Sequence, residues 1–310
     1  MKFSRVFLIA LHYACMTQAQ ANNKTPPPLT ALGYLPVPGA SLYYETYGAG
    51  PLLLFISGAN GNADIWRPIA GILQANFTVV IYDRRGFSRS YLSATQAQDY
   101  KNRLAIDADD ASRLIDHLHL GPAIVLGTSS GAIVALELLM RHPVHLRTLI
   151  SHEVPAIKVL PDRDNLTAIQ LDIYATYRAI GIPPAMTKFA AAYKALDTLP
   201  QFLSSMDPKN GPNVQGNTML WLERELLPYP LHDFNLTAMG EQKKLLLIAN
   251  GEASNPTSLQ RRANDKLAEK FGLDVVMFPG AHTGYQTSPA AFATALITAL
   301  VKKNGGLGKV

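Results

Sequence analysis

The chain has 310 residues, 48% apolar and 16% charged, with a formal net charge of +5. This balance supports a globular fold with a sizeable core and excludes a disordered or collagen-like chain. No run of lysine and arginine is interleaved with aromatics, which argues against nucleic acid as a partner.

Residues 1–21 read as a signal peptide. Lys2 and Arg5 precede a short apolar core at 6–11, and small residues around Ala19 and Ala21 suit cleavage. That core is too short to span a bilayer, so the expectation is a secreted or periplasmic protein with no stable membrane insertion. Cleavage would also remove Cys15, the only cysteine. Three prolines mark residues 22–29 as a linker.

Residues 33–47 alternate and turn at Pro38-Gly39, predicting an antiparallel hairpin. Buried strands are predicted at 52–57 and 77–83, with a helix over 64–74 between them. A helix over 100–118 carries Leu104, Ala108, Ala111, Leu114, Ile115 and Leu118 on one face. The run at 123–126 reads as a buried strand that turns through Gly127-Thr-Ser-Ser-Gly131 into an apolar helix. Further strands are predicted at 147–153, 244–250 and 273–278, and further helices at 258–271 and 288–302. Apolar strands alternating with helices imply a mostly parallel sheet covered on both faces, with reactive groups at the carboxyl ends of the strands. Residues 30–154 and 241–304 form this core.

Residues 155–240 break the rhythm. They carry helical patterns at 166–182, 184–196 and 214–227 with no clear buried strand, and read as a helical lid over the active edge. Ile169, Ile173, Tyr174, Tyr177, Phe189, Tyr193, Met219 and Trp221 are candidate pocket walls there, although such spacing more often marks core.

The G-x-S-x-G pattern centred on Ser129 matters for its turn. A serine between a strand and a helix takes a strained backbone, and the flanking glycines avoid the clashes a side chain would make. A serine hydroxyl needs a base, most often histidine. His282 follows the run at 275–278 and is placed on a loop at the active edge; His12 lies in the leader, and the remaining histidines fall elsewhere on the fold. Two carboxylates reach the right edge to orient it: Glu153 at the tip of its strand, which is preferred, and Glu252 after the strand ending at Asn250, which is the alternative acid. The N–H groups of Ala59 and Ser130 are candidate oxyanion donors. No metal-spaced cluster or phosphate-cradling loop is present, so neither cofactor nor metal is expected.

Together these stretches resemble the α/β-hydrolase superfamily. Ser57-Gly-Ala-Asn-Gly61 is similar to its oxyanion loop, with Ser57 where histidine is usual. Asp83-Arg-Arg-Gly-Phe-Ser-Arg-Ser90 is similar to its D-x-R-G-x-G-x-S signature, Gly127-Thr-Ser-Ser-Gly131 to its nucleophile elbow, and Pro279-Gly-Ala-His282 to its histidine loop. The chain departs from the family where Gly251-Glu-Ala-Ser254 has serine at the usual aspartate. Ser151-His-Glu-Val-Pro155 instead is similar to the H-E-P-P-type stretch of a hydrolase subgroup, which supports Glu153. The resemblance implies a serine hydrolase cleaving a small apolar ester or lactone through an acyl-enzyme. A binding protein of the same fold without turnover, and a cofactor-free haloperoxidase-like or C–C bond hydrolase, are the alternatives.

Overall fold

The computed structural model describes residues 29–59 and 61–305. The leader, and the linker up to residue 28, lie outside the described residues. Among these residues nine strands form one sheet: β1 (Ala31–Val37), β2 (Ala40–Tyr47), β3 (Leu52–Ile56), β4 (Thr78–Tyr82), β5 (Tyr91–Leu92), β6 (Ala123–Thr128), β7 (Leu146–His152), β8 (Leu246–Gly251) and β9 (Val275–Phe278). The order is β1-β2-β4-β3-β6-β7-β8-β9, with β5 beside β2. The hairpin β1–β2 and the pairings of β2 with β4 and β5 are antiparallel. Every pairing from β4 through β3, β6, β7 and β8 to β9 is parallel. Strand β5 is only two residues long, too short to carry a period, and was not anticipated.

Parallel strands that are apolar at every position are covered on both faces. Leu52, Leu54 and Ile56 of β3 share one core with α2 (Arg103–His117), α3 (Ser130–Arg141) and α9 (Leu259–Phe271). Leu53 and Phe55, one residue out of step, face α1 (Arg67–Leu73) and α11 (Pro289–Asn304). The strand period of two thus divides one run of five apolar residues between two cores. The helix expected over 64–74 begins instead as a 3-10 turn, Ala63–Trp66, capped by the Asn62 side chain; Pro68 sits in the first turn of α1, where a missing N–H costs no hydrogen bond.

Between β7 and β8 the chain forms five helices: α4 (Arg163–Ile180), α5 (Ile182–Ala192), α6 (Leu199–Ser205), α7 (Val214–Arg224) and α8 (Leu236–Glu241). The helix expected to run to 182 stops earlier, because Gly181 takes φ 92° and starts α5 afresh. The helix expected over 184–196 ends at Ala192, and α6, with one turn of apolar signal, was not anticipated. Of the candidate pocket walls, Ile173, Tyr177, Tyr193 and Trp221 are buried in packing and Met219 is exposed. Helices α4 to α7 bury a cluster of their own that takes in Phe87 and the edge of Ala59 from the core. No helix among the described residues is long and apolar enough to cross a membrane.

Candidate active site

Six strand exits meet at one rim, because parallel pairing aligns their carboxyl ends. Ile56 pairs with Gly127 and Thr128 with His152, so β3, β6 and β7 end side by side. Ser129 follows β6 at φ 54° and ψ −127°, a conformation costly for any residue with a side chain. The glycines around it are required sterically. A Cβ at Gly127 would lie 2.3 Å from the Gly131 carbonyl, and one at Gly131 would lie 2.3 Å from that of Ile56. A Cβ at Gly58 would come within 3.0 Å of the Ser129 Cβ, so the loop after β3 lies directly against the serine.

Glu153 leaves β7 at φ 49° with its carboxylate wholly buried. Its Oε1 accepts the Gly251 N–H at 2.9 Å and its Oε2 takes His282 Nδ1 at 2.6 Å. Burial alone would raise this carboxyl, but the hydrogen bond and charge of His282 outweigh it and bring the pKa down to about 2. An ionised carboxylate can only accept, so Nδ1 carries the proton and Nε2 of the neutral ring is left as the basic nitrogen. The ring lies on the loop before α10 (Gly284–Thr287), whose Tyr285 stacks on Trp66 at 4.3 Å, and Trp66 stacks in turn on Phe55. Glu252 is exposed; its backbone N–H donates to the Phe278 carbonyl, and its side chain does not reach His282.

The Ser129 hydroxyl does not cap its own helix and makes no hydrogen bond to His282. Such contacts are often loose before substrate arrives and tighten in the complex. The Ser129 N–H donates to the His152 carbonyl, and the His152 ring lies 6.3 Å from the His282 ring. The backbone amides of Ala59 and Ser130 have no acceptor among the described residues. Ser130 is the first residue of α3, where amides have no partner within the helix. Among the described residues no group of three His, Cys, Asp or Glu side chains is placed to hold a metal ion.

Two features of the site were not legible beforehand. His152 is wholly buried behind His282, its Nδ1 paired with the Thr128 hydroxyl at 2.9 Å and its Nε2 without a partner. Arg84 is wholly buried beneath the loop after β3, among carboxylates distant in sequence. The only local signal for it was a doubled arginine directly after an apolar strand.

The model of the α/β-hydrolase fold family matches residues 51–289, and the chain belongs to that family. It is 34% identical over 278 residues to a relative from Bacillus subtilis strain 168 named uncharacterized hydrolase YraK, covering 87% of this chain and 96% of that one. In fold it is similar to the enol-lactonase of Burkholderia xenovorans LB400, with a TM-score of 0.60 and 16% identity over 87% of this chain and 100% of the other. It is also similar to a thermophilic esterase of Thermogutta terrifontis, with a TM-score of 0.59 and 19% identity over 89% and 99% of the two chains.

Proposed function

We propose that this hydrolase cleaves a carboxylic ester or lactone of an apolar substrate through an acyl-enzyme on Ser129. The observation that carries the reading is the buried Glu153 carboxylate on Nδ1 of His282, at the same rim as a strained serine. The Ser129 oxygen attacks the carbonyl carbon while its proton passes to Nε2 of His282. Glu153 holds the ring and balances the imidazolium. The Ala59 and Ser130 amides hold the oxyanion. The imidazolium then protonates the departing alcohol, which in a lactone stays tethered to the acyl group. The same nitrogen activates water, which attacks the acyl carbon and frees Ser129 and the acid. The apolar cluster packed against Ala59, one of the oxyanion donors, supports an apolar substrate, and the names of the enol-lactonase and the esterase agree with the reaction class.

The test is a panel of p-nitrophenyl esters and aliphatic lactones assayed with wild type and Ser129→Ala, beside labelling by a fluorophosphonate. Ser129→Ala is expected to lower kcat by about 10⁴-fold or more and to abolish labelling. Near-full hydrolysis by that variant sinks the reading; labelling without turnover on any panel member favours a binding protein. Export is proposed from residues 1–21 alone, and a secreted product whose N-terminus falls near residue 22 is the expected outcome.

A further inference from the structure

Arg84 follows β4 and has no solvent exposure. All five of its N–H groups are used. Nε donates to the Ser57 carbonyl at 2.9 Å, and Nη2 donates to the Gly58 carbonyl at 2.8 Å and to Glu225 Oε2 at 2.7 Å. Nη1 donates to Asp107 Oδ2 at 3.0 Å and Glu225 Oε1 at 2.8 Å. Glu225 closes the lid helix α7, so a lid carboxylate grips the guanidinium that grips the loop after β3. Arg103 Nη2 donates to Glu225 at 3.2 Å, and the Tyr229 hydroxyl donates to Asp107 at 2.7 Å. Two arginines and two carboxylates therefore balance in charge.

The peptide geometry gives this cluster a consequence at the site. No cis bond occurs among the described residues, and in a trans peptide the carbonyl and the N–H point in opposite directions. The Gly58 carbonyl is held toward Arg84, and also accepts the Gly61 N–H at 2.9 Å. The Ala59 N–H in the same peptide plane must then point away from the guanidinium, and it has no acceptor among the described residues. With the Ser57 carbonyl also held, two successive peptide planes beside Ser129 are oriented by one side chain. Stability alone does not call for this arrangement, since a buried ion pair is often matched or bettered by apolar residues of similar volume.

We infer that Arg84 is the positioning residue of the oxyanion site, and that Glu225 of the lid holds it there, so lid docking and the direction of the Ala59 N–H are coupled. The inference rests on the acyl-enzyme reading above. An amide aimed in advance at the developing charge strengthens binding of the transition state more than that of the substrate, so its loss falls on kcat.

The experiment compares wild type with Glu225→Gln and with the double variant Arg84→Met/Glu225→Leu, which leaves no unpaired buried charge from this pair. The control is Arg85→Met/Asp110→Leu, which removes a second buried bidentate pair whose side chains do not touch the loop. Folding is checked by urea unfolding, and kcat and KM are measured on the best ester of the panel, with Ki for a trifluoromethyl ketone. The expected result is a folded double variant whose kcat falls about 10²-fold, with KM within a few-fold and Ki weakened in step, while the control keeps wild-type kcat. Should the double variant fail to fold, Glu225→Gln carries the same test with a smaller drop. Wild-type kcat in a folded Arg84/Glu225 variant, or an equal loss in the control, overturns the inference. Ser129→Ala run in parallel separates the failures: if it abolishes turnover while the Arg84/Glu225 variant matches wild type, only the positioning role is wrong. If Ser129→Ala retains turnover, the acyl-enzyme reading and this inference fall together.

Discussion

Glu153 occupies a backbone region that costs a non-glycine residue about 1–3 kcal/mol, and three contacts offset it. Its N–H donates to the Ala249 carbonyl at 3.1 Å, and its two carboxylate oxygens take Gly251 and His282. The strain turns the side chain from the sheet edge toward the histidine loop. Glutamine at 153 would keep the shape but offer one acceptor oxygen and one N–H donor where the Gly251 N–H and His282 Nδ1 both need acceptors, so Glu153→Gln is expected to lower kcat by about 10³–10⁴-fold. Glu252→Gln, an exposed side chain away from His282, is expected to change kcat less than about twofold; steady-state assays of the pair decide between the carboxylates. Both were candidates from sequence because both follow strands that end on the same rim. Sequence ranked Glu153 first because it directly ends its strand, but the two glutamates follow neighbouring strands, so the contact itself was not legible locally.

The turn from β6 to α3 was legible as an element because its requirements lie within five residues. Gly127 and Gly131 face backbone atoms that cannot move away, so a methyl group at either must displace the strand or the helix. Gly131→Ala is expected to destabilise by at least about 2 kcal/mol. Gly216, inside α7 and with open space around it, gives the opposite sign. Gly216→Ala is expected to stabilise by roughly 0.5–1 kcal/mol, since alanine is the better helix former. Urea unfolding of the two variants checks both directions. The helical insertion between β7 and β8 was the least legible region for the same kind of reason. Its helix boundaries depend on Gly181 at φ 92° and on packing against Phe87, neither of which leaves a period in the sequence.

Across the whole molecule, His152 sits where β6, β7 and the histidine loop close together, with edge contacts to Tyr285 and Phe292. Burial pushes its pKa down from 6.5 to about 4. The unfolded chain therefore binds a proton before the folded one does. The stability that comes from keeping His152 neutral is fully present above pH 6.5 and is lost as pH falls toward 4, on the order of 3 kcal/mol in all. Burial raises buried Asp110 to about 6, which acts in the opposite direction, so the measurement must be a difference. Wild type is expected to lose more unfolding free energy than His152→Gln between pH 7 and pH 4.5. Equal losses in urea titrations at the two pH values would show that the ring is not held neutral.

The sheet, its two covering layers and the places of Ser129 and His282 were determined by sequence alone, because period, glycine spacing and strand exits are properties of neighbouring residues. Sequence ranked Glu153 over Glu252, and the tertiary structure supplied the contact with His282, which depends on how strand ends are juxtaposed. The tertiary structure alone decided the Arg84 cluster. Asp107 lies 23 residues away in sequence and Glu225 lies 141 residues away. A buried charge is tolerated only where partners converge in space, and no local pattern records that convergence.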